Sequence, residues 1–61
     1  MKRLAEIVRD TDGVVHLTIL FQKDGEKPKK IRSEPFWGTI QDCIRWCSNN
    51  FYEVHKVEDN L

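Results

Sequence analysis

The stretch Thr39–Val57, TIQDCIRWCSNNFYEVHKV, decides the fold, because it reads as one helix followed directly by one strand. Thr39 suits an N-cap: its hydroxyl can accept a backbone N–H that the start of a helix leaves unpaired, and Asp42 three residues on completes a capping-box-like pair. Ile40, Cys43, Ile44 and Cys47 recur at i, i+3, i+4 and i+7, which is one apolar face of a helix. Asn49 and Asn50 suit its C-terminus, since Asn tolerates the left-handed backbone found there. Phe51 to Val57 follows as a β-rich run, with Tyr52, Val54 and Lys56 alternating against Phe51, Glu53, His55 and Val57.

Everything before Thr39 reads as the sheet on which this helix lies. Val14 to Lys23 is the clearest strand, with Val15, Leu17, Ile19 and Phe21 on one face and His16, Thr18 and Gln22 on the other. Arg3 to Arg9 is a shorter apolar strand. Asp10-Thr11-Asp12-Gly13 between the two is a turn, so they form a β-hairpin. Asp24-Gly25 is the second turn signal. Beyond it, Lys29 to Ser33 reads as an edge strand, because Pro28 is unsuited to a central one and lysines keep edges from pairing with other chains. Ser33 to Gly38 is expected to be the loop into the helix, folding Phe36 and Trp37 over one end of the core. Phe21 and Phe51 are placed in that core, and Glu58 to Leu61 is expected to fray. The expectation is an α+β, two-layer fold: an antiparallel sheet of three to four strands with one helix on one face, in the order β-β-(β)-α-β.

Sixty-one residues make one small domain, 1–61. A chain of this length buries only about 60% of its unfolded surface. A homodimer is therefore expected, since a second copy would supply core that one chain lacks. Ten basic and ten acidic residues cancel. That balance speaks against a general nucleic-acid binder, which carries a positive excess, and against a wholly acidic surface. No apolar run is long enough to span a membrane and no signal peptide is visible, so a cytoplasmic protein is expected. Two cysteines in that setting read as reduced thiols.

Cys43 and Cys47, four apart on a helix, could share a metal with His16 and His55. The plainer reading is that both thiols belong to the apolar face with Ile40 and Ile44. No metal or other cofactor is assigned. A disulfide within one helix is disfavoured by the geometry. No serine, threonine or histidine sits in a nucleophile motif, and a domain this small offers little room for a deep pocket, so no catalytic residue is assigned. Lys23 to Arg32 holds five of the ten basic residues and could grip a phosphate backbone, although a solvated edge explains the same lysines. The aromatics are more telling. Trp46 lies about 120° round the helix from the apolar stripe. Trp37 and Phe36 fall in a loop, and Tyr52 is expected on the sheet's outer face. Large half-exposed aromatics are the material of binding hot spots.

From Leu17 onward the layout resembles the small phage inhibitors of uracil-DNA glycosylase typified by Bacillus podoviruses. The matching stretches are LTILFQKDG (strand then turn), TIQDC opening the helix, and YEVHKVEDNL closing the chain. The resemblance implies a dimer that presents an acidic, DNA-mimicking groove to a host enzyme, with an aromatic residue of the helix assisting. The corresponding helix position here is near Cys43, so Trp46 or the Phe36-Trp37 pair would serve instead. Glu34, Asp42 and Glu53 would stand in for phosphates, within an acidic strip that also holds Glu58 and Asp59. The layout also resembles phage inhibitors of host RNA polymerase. The reading is a non-enzymatic inhibitor of a host protein, with Trp46, Trp37, Phe36, Tyr52, Glu34, Asp42 and Glu53 at its partner surface. The alternative is a small nucleic-acid-binding or regulatory module using segment 23–32 with Trp37.

Overall fold

In the computed structural model, which describes all 61 residues, the alternating segments become strands and the 3.6-period segment becomes the helix. The elements are β1 (Lys2–Arg9), β2 (Val15–Gln22), β3 (Lys29–Phe36), α1 (Ile40–Asn49) and β4 (Glu53–Asp59). They form one four-stranded sheet in the order β3-β2-β1-β4, with α1 packed over β1 and β4. This is the two-layer α+β fold read from the sequence.

The sheet is mixed rather than wholly antiparallel. β1–β2 and β2–β3 are antiparallel, whereas β4 runs parallel to β1. Chain direction accounts for the difference. Two hairpins leave β3 running the same way as β1. The helix then carries the chain back the length of the sheet, so β4 must start at the end where β1 starts. A ten-residue helix covers about 15 Å of that return, and the short loops at its two ends supply the rest.

The core lies between α1 and the near face of the sheet. Ala5 and Ile7 of β1, Val15, Leu17 and Ile19 of β2, and Cys43 and Cys47 of α1 are all buried there. The alternation of β2 therefore faces as its sequence indicates, with Phe21 half-buried at its end. A second, smaller burial lies on the far face, where Leu4 and Leu20 are cross-strand partners.

Four other expectations change. β3 runs on through Pro35 to Phe36, because an edge strand can carry a residue without an N–H wherever that position needs no ladder partner. The loop into the helix thus shrinks to Trp37, Gly38 and Thr39. Glu58 and Asp59 belong to β4 and do not fray: the Arg9 guanidinium pairs with the Asp59 carboxylate, and the Asn60 N–H reaches the Arg9 carbonyl at 2.9 Å. Phe51 is neither in the core nor in the last strand. It is 82% exposed, with φ at +62°.

The helix ends explain Phe51. At the N-terminus the capping box is formed: the Asp42 N–H donates to the Thr39 hydroxyl at 3.1 Å and the Thr39 N–H to the Asp42 carboxylate at 3.2 Å. At the C-terminus the Tyr52 N–H donates to the Cys47 carbonyl at 2.8 Å and the Phe51 N–H to the Ser48 carbonyl at 3.2 Å. That is the paired 6→1 and 5→2 pattern of a Schellman ending, whose left-handed residue is usually glycine. Here it is Phe51, and Asn50 before it keeps a negative φ of −106°.

Candidate functional site

Chain direction sorts the charges. One end of the molecule collects the start of β1, the β2–β3 hairpin and the end of α1. The other collects the β1–β2 turn, the start of α1 and the end of β4. Asp10, Asp12, Glu34, Asp42, Glu58 and Asp59 lie toward this second end, against Arg9 there and against Arg32 and Arg45, which reach Glu34 and Asp42 from the middle of β3 and α1. Lys2, Arg3, Lys23, Lys27, Lys29 and Lys30 lie toward the first, against Asp24, Glu26 and Glu53. The molecule is 36 Å long and 15 Å thick, so neutral overall charge conceals an acidic end and a basic end. A Debye length of about 8 Å at physiological salt lets each end act on its own surroundings.

The acidic end brings together four of the seven residues assigned to a partner surface. Glu34 and Phe36 leave β3 there, Trp37 follows, and Asp42 stands in the first turn of α1. Phe36 and Asp42 converge on Gly38: a Cβ at that position would meet the Phe36 ring at 3.0 Å and the Asp42 carboxylate at 3.2 Å. This close approach fixes the loop between them and turns Trp37 outward, 87% exposed. The Asp42 carboxyl is held below its ordinary range by the backbone N–H of Thr39, with the Thr39 hydroxyl adding to the effect. Asp59 is likewise held low, chiefly by its hydrogen bond from Arg9. Both keep their negative charge well into acid. Glu34 lies 3.8 Å from Arg32, and Asp10 lies 3.0 Å from the His16 ring.

The other three assigned residues, Trp46, Tyr52 and Glu53, lie toward the basic end. Trp46 is half-buried, and its ring stacks on Tyr52 with centroids 5.8 Å apart and planes at 10°. The Arg3 guanidinium lies over the Tyr52 ring at 4.3 Å. Tyr52 therefore belongs to the helix side of the sheet and not to its outer face, whereas Trp46 is partly covered, as its place on the flank of the helix indicates, and packs against the core. Helical periodicity placed Trp46 on the flank of α1, but it could not show that the chain folds Tyr52 back against that flank.

Cys43 and Cys47 are free thiols with no solvent exposure. Burial pushes the Cys43 thiol up to about 12 and raises Cys47 as well, so both are neutral at physiological pH. The histidines do not join them. His16 turns to Asp10, and His55 lies 3.9 Å from Glu6, whose cross-strand partner Thr18 faces away from the helix. No group of three or more histidine, cysteine or carboxylate side chains converges as metal ligands would. No helix is long and apolar enough to cross a membrane.

A groove of about 640 Å³ opens at the basic end, lined by Met1, Phe21 and Ile31 together with Lys23, Lys27 and Lys29. Sequence reading gathered the lysines of segment 23–32 but joined them to Trp37, which stands at the opposite end. It did not bring in Lys2, Arg3 or Phe21, whose register only the pairing of β1 with β2 reveals. Compared with models of known protein families, with curated proteins and with solved structures, the chain matches none.

Proposed function

We propose that this protein is a non-enzymatic inhibitor that engages the nucleic-acid-binding surface of a host enzyme through its acidic end. The observation that carries the reading is Trp37, 87% exposed in the loop between Glu34 of β3 and Asp42 of α1, at the end of the molecule where most of the carboxylates lie. A free indole contributes nothing to folding and costs water contact, so its position suits an anchor that a partner buries. Carboxylates around it would occupy the sites where an enzyme holds DNA phosphates, and would speed encounter with a basic cleft. Uracil-DNA glycosylase is the first candidate target, from the layout shared with its phage inhibitors. Both sheet edges, β3 and β4, are unpaired. A second copy of the chain could extend the sheet there, as the expected homodimer requires.

The test is a titration of bacterial uracil-DNA glycosylase with the protein, read by release of uracil from a labelled oligonucleotide. Stoichiometric inhibition that Trp37→Ala weakens at least tenfold is the expected result. An enzyme unaffected at tenfold molar excess removes this target. Capture from lysate onto the wild-type protein, with Trp37→Ala as the control matrix and nuclease present, then reads whether another nucleic-acid enzyme takes its place. If no protein depends on Trp37 for capture, the inhibitor reading fails.

A further inference from the structure

The basic end carries a second surface, independent of Trp37. Cross-strand pairing sets Arg3 of β1 beside Phe21 of β2, and Phe21 beside Lys29 of β3. Tyr52 extends this row on the other side, under the Arg3 guanidinium at 4.3 Å. Neighbouring strands are about 4.8 Å apart, so ring, guanidinium, ring and ammonium follow one another across the sheet at the spacing of its strands. The 640 Å³ groove opens beside Phe21, and Lys23 and Lys27 line it with Lys29.

We infer that this row and groove form a binding site for single-stranded nucleic acid. Each part has a match in that ligand. The ammonium groups meet the phosphate backbone, whose affinity rests on released counterions. The exposed Arg3 guanidinium, held over the Tyr52 ring, offers a plane on which a base can stack, and the half-buried Phe21 ring is the next apolar surface along the row. A duplex cannot use these planes, because its bases are stacked on one another. An acidic protein segment would satisfy the lysines and leave the planes unused.

Phe51 adds an independent sign. It stands at this same end, exposed, in a left-handed conformation that a bulky residue adopts at a cost. Glycine there would end the helix better. An aromatic ring kept in water at a strained position is explained by a ligand that stacks on it.

The test is fluorescence anisotropy of a labelled fifteen-nucleotide oligothymidine against the full chain, beside a duplex of equal length and a poly-glutamate peptide of equal charge. The expected result is tighter binding of the single strand than of either, weakening with salt. Lys27→Gln with Lys29→Gln should lower the salt slope by about 0.7 for each phosphate that is no longer neutralised. Phe51→Gly and Arg3→Lys should each weaken binding about threefold to tenfold, with Arg3→Lys leaving the salt slope unchanged because the charge is kept. Melting curves establish that each variant is folded. Equal affinity for single strand and duplex overturns the inference, since it leaves only general attraction to charge. So does equal affinity for poly-glutamate, which would make the surface a receptor for acidic protein. Full affinity in both Phe51→Gly and Arg3→Lys also overturns it.

Discussion

The two tryptophans mark the difference between the two ends of this molecule. Trp37, at the acidic end, is held out into water by a loop that Gly38 lets close tightly on Phe36 and Asp42. Trp46, toward the basic end, is half-buried and stacked on Tyr52. The helix between them is finished differently at each end as well. Its acidic end has a complete capping box, and its basic end places a phenylalanine where glycine is usual. The two ends thus differ in how the helix is finished and in how their tryptophans are held. The acidic end is well capped and presents one free ring from a firm loop. The basic end is well packed around Trp46 but accepts strain at Phe51.

The largest effects should come from crossing the two proposed surfaces. Trp37→Ala is expected to cost about 1.4 kcal/mol or more in affinity for a protein target, the tenfold loss above, and to leave oligothymidine binding intact. Lys27→Glu with Lys29→Glu should do the reverse, abolishing oligothymidine binding and leaving inhibition of the target unchanged. Both are read by titration, and loss of both activities in either variant would break the division into two ends.

Next is a stability difference between the tryptophans. Trp46→Ala removes a half-buried ring together with its stack on Tyr52, and should cost about 2–3 kcal/mol, a share of the larger penalty seen for fully buried tryptophans. Trp37→Ala, by contrast, should shift the melting temperature by no more than an ordinary surface substitution does. Circular-dichroism melts of the two variants give the comparison directly. Equal losses would mean that Trp37 packs in solution, and its role as an anchor would fall with that.

Much of this arrangement was legible in the sequence, and the reason is local chemistry. The capping box needs only Thr39 and Asp42 three apart, and the core face of β2 needs only the alternation of Val15, Leu17 and Ile19. Both are set within a few residues. What the sequence left open depends on pairing between distant segments. The parallel direction of β4 follows from the return path of the helix, not from anything within Glu53–Asp59. Lys2 and Arg3 join the lysines of segment 23–32 only once Lys2 is registered against Gln22 and Arg3 against Phe21. The candidate surface was half legible for the same reason. Glu34, Phe36, Trp37 and Asp42 are near in sequence and stay together, whereas Trp46, Tyr52 and Glu53 go to the other end. Phe51 was misplaced because alternation assigned it to a strand, while the hydrogen bonds that end α1 claimed it first.

At the acidic end, Thr39→Ala removes the hydroxyl that accepts the Asp42 N–H and should cost about 1 kcal/mol. A pH series sharpens the attribution. The Asp42 carboxyl is held below its ordinary value of 3.8 by the N–H and hydroxyl of Thr39. Its contribution to stability is therefore full above that value and is lost as pH falls through the lower folded one. The wild type should lose stability over that acid range more steeply than Thr39→Ala, where part of the contribution is already gone. Parallel acid dependence in the two would show that the Thr39 hydroxyl contributes nothing to holding the Asp42 charge in solution, since the backbone N–H of residue 39 donates to that carboxylate in both.

The smallest effect has the opposite sign and belongs to the other helix end. Phe51→Gly relieves a left-handed conformation that costs a residue with a Cβ about 1–2 kcal/mol, and returns part of the gain through the greater freedom of glycine in the unfolded chain. The Schellman hydrogen bonds use backbone atoms alone, so they persist in the variant. Because Phe51 is 82% exposed, little packing goes with its ring. The net expectation is a gain of about 0.5–1 kcal/mol, read as a higher midpoint in urea with an unchanged slope. Combined with weaker oligothymidine binding, that gain would show stability and ligand binding opposed at one residue, the pattern expected where a ring is retained for a ligand rather than for the fold. A loss of stability would instead mean that the ring packs against the end of the helix, and the case for Phe51 as a stacking surface would be withdrawn while that for Arg3 stood on its own test.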